Sequence, residues 1–234
     1  MKFNYLVLTV FLALMPFFVC PANGDQNNQN NTKPYWQDVQ TVAVNKEYPR
    51  TSFMTFDSRN EALSQKFEES KFYRSLNGVW KFYFVEGYNE LPADITDPAV
   101  STANWSDITV PGNWEMQGFG VPIYTNHGYE FKPRDPQPPT LPEMNPVGVY
   151  RRDIDISSEW MDRDIFLHVG GAKSGMYVYI NGKEVGYSED SKNPAEFLIN
   201  DYVKPGKNTL VLKIFRWSTG SYLECQDFWR ISGI

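Results

Sequence analysis

An all-β fold is predicted, an antiparallel two-sheet sandwich of jelly-roll type with one short N-terminal helix. Three observations carry it. About seven short runs of apolar or alternating residues recur between Gly, Pro and Asn turns, and strands do not alternate with helices. Val178 and Ile180 lead into Asn181-Gly182, and Val185 follows, the pattern of a hairpin with a type I′ turn. Aromatic residues make up 16% of the chain, which suits pleated, half-buried surfaces better than a helical bundle.

The chain opens Met1-Lys2 and runs apolar from Tyr5 to Val19, ending in Ala22-Asn23-Gly24. A basic start, a short apolar core and a small-x-small end read as a secretory signal, residues 1–24. Pro16 interrupts the run, and it is shorter than the ~20 residues of a spanning helix. No transmembrane segment is therefore expected in the mature form, and export to the periplasm or medium is. A lipoprotein would use Cys20, but Val19 is large where that signal wants a small residue. A formal charge of −6 excludes a nucleic-acid partner, since phosphate binding wants a basic face. With the signal removed only Cys225 remains, so no intrachain disulfide is expected. Two scattered histidines and that cysteine have no zinc-site spacing.

Asp25 to Pro34 is polar and Asn-rich, a disordered tether with nothing to bury. Residues 35–75 form an irregular arm. Within it Ser58-Arg59-Asn60-Glu61 is a capping box before a short helix. The sandwich is expected over 76–234. Val79 to Val85 alternates Trp80, Phe82 and Phe84 with Lys81 and Tyr83, a strand with one buried face. Ile108 to Val110 is a short strand before the turn Pro111-Gly112-Asn113-Trp114. Pro133 to Pro146 holds six prolines and reads as a long, stiff loop. Val149 to Ile156 and Ile165 to Val169 are strands, and Gly170-Gly171 is a turn. Thr209 to Trp217 is apolar on both faces, so it belongs at the centre of a sheet.

The last fifteen residues concentrate the chemistry. Gly220 to Ile234 places Tyr222, Phe228 and Trp229 beside Glu224, Asp227 and Arg230. Rings can cover the apolar C–H face of a pyranose while carboxylates accept its hydroxyl hydrogens. The plain structural reading makes the rings core and pairs the acids with Arg230. Hydrolysis of a glycoside needs two carboxyl groups flanking the scissile bond. Glu189 with Asp190, and Glu224 with Asp227, are near in sequence. With 28 acidic residues in the chain, proximity alone assigns neither pair a catalytic part.

Several phrases resemble one family: Leu76-Asn77-Gly78-x-Trp80-x-Phe82, Val110-Pro111-x-Asn113-Trp114, Pro122-Ile123-Tyr124-Thr125-Asn126, Gly186-Tyr187-Ser188-Glu189-Asp190-Ser191 and Ser221-Tyr222-Leu223-Glu224-x-Gln226-Asp227-x-Trp229-Arg230. Together they are similar to the N-terminal sugar-binding domain of the large bacterial beta-galactosidases, glycoside hydrolase family 2. The resemblance implies a jelly roll at the rim of an active site that hydrolyses terminal beta-D-galactosides. It implies that the catalytic glutamates, the middle sandwich and the barrel lie beyond Ile234, so no catalytic residue is expected here and the 234-residue chain alone should be inactive. It carries over Asn126 as a sugar contact, and Asp227 as a ligand of both sugar and an active-site sodium whose other ligands come from the barrel. It also implies magnesium in the full-length family, with its ligands absent here, and a homo-oligomer at full length. A further strand should follow Ile234, leaving an open sheet edge and an apolar patch of Phe228, Trp229 and Ile231. The alternatives are a free-standing secreted carbohydrate-binding module, and a fragment of a related beta-glucuronidase or beta-mannosidase. The Tyr-Thr-Asn and Glu-x-Gln-Asp-x-Trp phrases favour the galactosidase.

Overall fold

Eleven antiparallel strands are formed by the described residues of the computed structural model, which are 33–64, 66–126, 128–131, 135–224 and 228–234. The signal segment, Cys20, nearly all of the tether, Cys225 and Asp227 lie outside them. The strands are β1 (Ala43–Val44), β2 (Gly78–Val85), β3 (Ser106–Val110), β4 (Ile123–Tyr124), β5 (Val147–Ile156), β6 (Phe166–Val169), β7 (Gly175–Ile180), β8 (Lys183–Ser188), β9 (Ala195–Leu198), β10 (Gly206–Phe215) and β11 (Trp229–Arg230). Seven make one sheet in the order β1-β8-β7-β10-β5-β2-β3, while β6-β9 and β4-β11 are two-stranded ribbons.

β10 is the middle strand of seven, as its two apolar faces require. Leu210, Leu212 and Ile214 enter one core with Trp80, Phe82, Tyr150 and Val178. Val211 and Phe215 enter the other with Val147, Val149 and Tyr187. The first core is closed by Leu167, Val169 and Phe197 of the β6-β9 ribbon, which is the second layer of the sandwich. The second core is closed by Trp36, Ile95 and Trp105 from connecting segments. β2 therefore buries residues on both faces: Trp80 and Phe82 on one, Val85 on the other. The single buried face read from its alternation needs that correction, because Tyr83 and Val85 also have partners.

The arm begins as part of the sheet. Trp36 is buried and stacks on Phe215 with ring centroids 5.0 Å apart, and β1 pairs with β8. Further on, the Ser58 hydroxyl accepts the Glu61 N–H at 3.2 Å and starts α1 (Arg59–Ser64). The turn between β7 and β8 has φ of 52° at Asn181 and 79° at Gly182, both positive as a type I′ turn demands. A second helix, α2 (Ser221–Glu224), occupies a stretch expected as loop.

Gly148 of β5 lies beneath two rings. A Cβ there would stand 2.4 Å from the buried Trp114 ring and 2.7 Å from Phe82. Gly148→Ala should therefore destabilise the fold by about 1–3 kcal/mol, the usual range for overpacking a core. Gly170, with nothing within 4 Å of its Cβ position, should tolerate alanine within ~0.5 kcal/mol. Urea unfolding of the two variants checks this; equal midpoints would contradict the packing.

Candidate functional site

The chain's end is fixed by backbone bonds to the Pro111–Glu115 turn. Gly112 N–H donates to the Ile234 carbonyl at 2.8 Å, and Trp114 N–H to the Ser232 carbonyl at 3.0 Å. Gly233 adopts φ 137°, and a Cβ on it would meet the Gly112 carbonyl oxygen at 2.4 Å. The Ser-Gly-Ile ending thus needs its glycine for a close backbone approach.

Two buried ion pairs underlie this region. Arg216 stands 3.6 Å from the Glu115 carboxylate, and Arg230 stands 3.7 Å from Glu130. The Glu115 carboxylate also accepts the Ser232 N–H at 2.9 Å, and Glu130 accepts the Trp217 indole N–H at 2.9 Å. Arg216 donates to the carbonyls of Val121 at 2.9 Å and Arg230 at 3.0 Å. It therefore joins the chain just before β4 to β11. Burial raises the Glu115 carboxyl pKa and lowers that of Arg216, on each side outweighing the mutual attraction.

Above this base, β4 pairs with β11 in the register Trp229↔Tyr124 and Arg230↔Ile123. Thr125 N–H continues the ladder to the Phe228 carbonyl at 2.9 Å. Asn126 follows directly and is exposed. Tyr124 lies 5.1 Å from Trp229 and 5.9 Å from Phe228 between ring centroids. All three rings are more than half exposed. They form an exposed aromatic surface, and two places after Tyr124 stands exposed Asn126, whose amide can donate and accept at once.

The other expected site residues separate. Asp227 lies outside the described residues. Phe228 and Trp229 form the exposed patch, but Ile231 is half-buried. Tyr222 does not join the exposed rings: it packs 4.8 Å from Tyr129 and bonds to the Thr140 carbonyl of the proline-rich loop. Glu189 is buried, and its carboxylate accepts Tyr187 Oη–H at 2.7 Å, Thr219 Oγ1–H at 3.1 Å and Gly220 N–H at 2.6 Å. Glu224 accepts Asp190 N–H at 2.8 Å, with Ser191 also donating to it. These two carboxylates fasten α2 to the end of β8, and neither stands free across a sugar-sized gap. Arg230 pairs with Glu130, a partner that reading along the chain did not find. Tyr124 was also missed, although it stands two places before Asn126 in the quoted phrase. Among the described residues no three His, Cys, Asp or Glu side chains gather as metal ligands.

Glu115→Ala should cost about 3–5 kcal/mol, because it leaves Arg216 buried without its counter-charge. Trp229→Ala on the exposed ribbon should stay within ~0.5 kcal/mol. Denaturant midpoints separate them, and a comparable loss in both would make the ribbon's rings structural. Burial likewise raises the Glu189 carboxyl above its ordinary 4.5, against the opposing bonds from Tyr187, Gly220 and Thr219. As pH rises from there through the raised folded value, the folded chain keeps a proton that the unfolded chain has released. Stability therefore falls across that window. Glu189→Gln should flatten the fall; an unchanged slope of unfolding midpoint against pH would contradict the assignment.

Comparison with known proteins follows the same segments. Residues 73–234 match the family model described as "Glycosyl hydrolases family 2, sugar binding domain". The beta-galactosidase of Priestia megaterium is 39% identical over 219 residues, covering 93% of this chain and 20% of that protein. The beta-galactosidase of Vibrio cholerae is 38% identical over 198 residues, covering 85% and 19%. The chain thus spans about one-fifth of the length of the curated relatives it matches. A solved beta-glucuronidase from Bifidobacterium dentium, complexed with coumarin-3-O-glucuronide, overlaps 60% of this chain and 19% of its own at TM-score 0.44 and 20% identity. The match to the family model covers β2 to β11, including the β4-β11 ribbon and both ion pairs beneath it; the chain belongs to glycosyl hydrolase family 2, whose sugar binding domain it carries.

Proposed function

We propose that this chain is the sugar-binding part of a beta-galactosidase-like enzyme that hydrolyses terminal beta-D-galactosides. The observation that carries the reading is the exposed Tyr124, Phe228 and Trp229 surface beside Asn126. A lone domain gains nothing in stability by leaving three adjacent rings in water. A pyranose gains from them, since its C–H face desolvates a ring while its hydroxyls need a group that both donates and accepts. The Priestia megaterium and Vibrio cholerae relatives supply the substrate class.

The carboxylates that cleave the glycosidic bond stand on another part of such an enzyme. Glu189 and Glu224 are held by internal donors and serve the fold. Asp227 would take one position around a sodium ion, whose remaining oxygens come from the catalytic part, and magnesium would bind there too. The Met1–Gly24 segment would direct export, with the mature chain starting at Asp25. The assembled enzyme would be a homo-oligomer.

The test exchanges this chain for the matching fifth of the Priestia megaterium enzyme. Asn126→Ala should raise KM for a chromogenic beta-galactoside about three- to tenfold, the worth of one net hydrogen bond at ~0.5–1.5 kcal/mol, and Trp229→Ala should raise it through the lost ring face. Asp227→Asn should weaken both sodium dependence and turnover. The 234-residue chain alone should show no turnover above a Glu224→Ala control. Unchanged kinetics in all three variants, or hydrolysis by the chain alone, would refute the reading.

A further inference from the structure

Tyr129, Glu130 and Phe131 pack side by side where β10 gives way to α2. The Tyr129 ring lies 4.8 Å from Tyr222, and its hydroxyl donates to the Tyr222 carbonyl at 3.1 Å. The Phe131 ring lies 5.5 Å from Trp217. Between them the Glu130 carboxylate accepts the Trp217 indole N–H at 2.9 Å and stands 3.7 Å from Arg230. The two charged side chains are 1% and 2% exposed. Tyr129 and Phe131 thus fasten this segment to Trp217 and α2, and Glu130 carries the fastening on to β11. Asn126 stands between two attachments to one stretch, Phe228 to Arg230. One place before it, Thr125 N–H donates to the Phe228 carbonyl at 2.9 Å. Four places after it, Glu130 faces Arg230.

We propose that Glu130 is a positioning residue for Asn126: its attachment to Arg230 holds the chain that follows Asn126 against the ribbon, so the amide meets a sugar hydroxyl from a segment held on either side of it. Energetics favour this. An exposed amide on a chain tied at one end samples many directions, and ordering it when a ligand arrives subtracts from affinity. A second tie removes part of that cost beforehand. The tie is durable, because pulling Glu130 away would leave Arg230 as a lone charge in a place shut off from water. Glu130 touches no sugar itself: its carboxylate is buried and already engaged by Trp217 and Arg230. The proposal rests on the reading of Asn126 as a sugar contact, and adds what keeps that contact in place.

The experiment uses the Priestia megaterium enzyme in which this chain replaces the matching fifth. It measures kcat and KM for a chromogenic beta-galactoside in Asn126→Ala, in Glu130→Gln and in the double variant. Glutamine keeps an acceptor for Trp217 but offers no charge to Arg230. Glu130→Gln should raise KM about three- to tenfold, the worth of one side chain's lost order. Its kcat should stay within about twofold, because the loss falls on binding. The double variant should be no worse than Asn126→Ala alone, since a residue that acts through Asn126 then has nothing left to position. Glu130→Gln with Arg230→Met removes both buried charges and guards against a failure to fold. It should melt above Glu130→Gln while its KM stays raised, and Asn126→Ala can be added to it for the same comparison. An unchanged KM in Glu130→Gln, a recovered KM once both charges are gone, or independent, multiplying effects of Asn126→Ala and Glu130→Gln would overturn the proposal and leave the sugar contact standing. An unchanged KM in Asn126→Ala would remove the contact itself, and the proposal with it.

Discussion

Arg216 brings a full positive charge into a place that water hardly reaches, and the ribbon that presents the aromatic surface depends on how that charge is met. Its guanidinium has the Glu115 carboxylate at 3.6 Å and two carbonyls, of Val121 and Arg230, within hydrogen-bond distance. Those carbonyls belong to the two segments that become β4 and β11. The charge is thus neutralised by the turn after β3, and its donors join the two short strands at their base. A two-stranded ribbon of two residues each has little stability of its own. The buried pair, the Ser232 N–H on Glu115 and the Gly233 approach to Gly112 hold it in place.

This arrangement separates holding from presenting. The sheet is buried on both faces and needs nothing from Tyr124, Phe228 or Trp229. All three rings stay more than half exposed. The carboxylates of Glu189 and Glu224 are committed to internal donors. Both receive backbone and hydroxyl donors that tie β8 to α2, so both serve the fold.

What could be read from the sequence was whatever is encoded locally. The type I′ hairpin at Asn181-Gly182 needs two residues tolerant of positive φ. The helix start at Ser58 needs one hydroxyl three residues before an N–H. The central place of β10 needs apolar residues on both of its faces. Each signal sits within ten residues. The role of Trp36 was not readable, because a single aromatic in an aperiodic arm carries no phase, and it stacks on Phe215 far along the chain. Glu115 and Glu130 were not readable either: their arginines lie about a hundred residues away, and nothing local distinguishes a buried glutamate from a solvated one. The terminal stretch was read as loop because its acids and rings have no period. Part of it is α2, held by Glu224, and part is a strand whose partner, Ile123–Tyr124, is too short to show alternation.

The central claim is that Arg216 pins the ribbon rather than the sheet, and native-state hydrogen exchange in Arg216→Met measures it most directly. The Thr125 amide, bonded to the Phe228 carbonyl, and the Ser232 amide, bonded to Glu115, report the ribbon; the Leu212 amide reports the sheet. The predicted result is that Thr125 and Ser232 lose protection together while Leu212 keeps most of its own. Thr125 retaining full protection, or all three amides losing it equally, would contradict the claim.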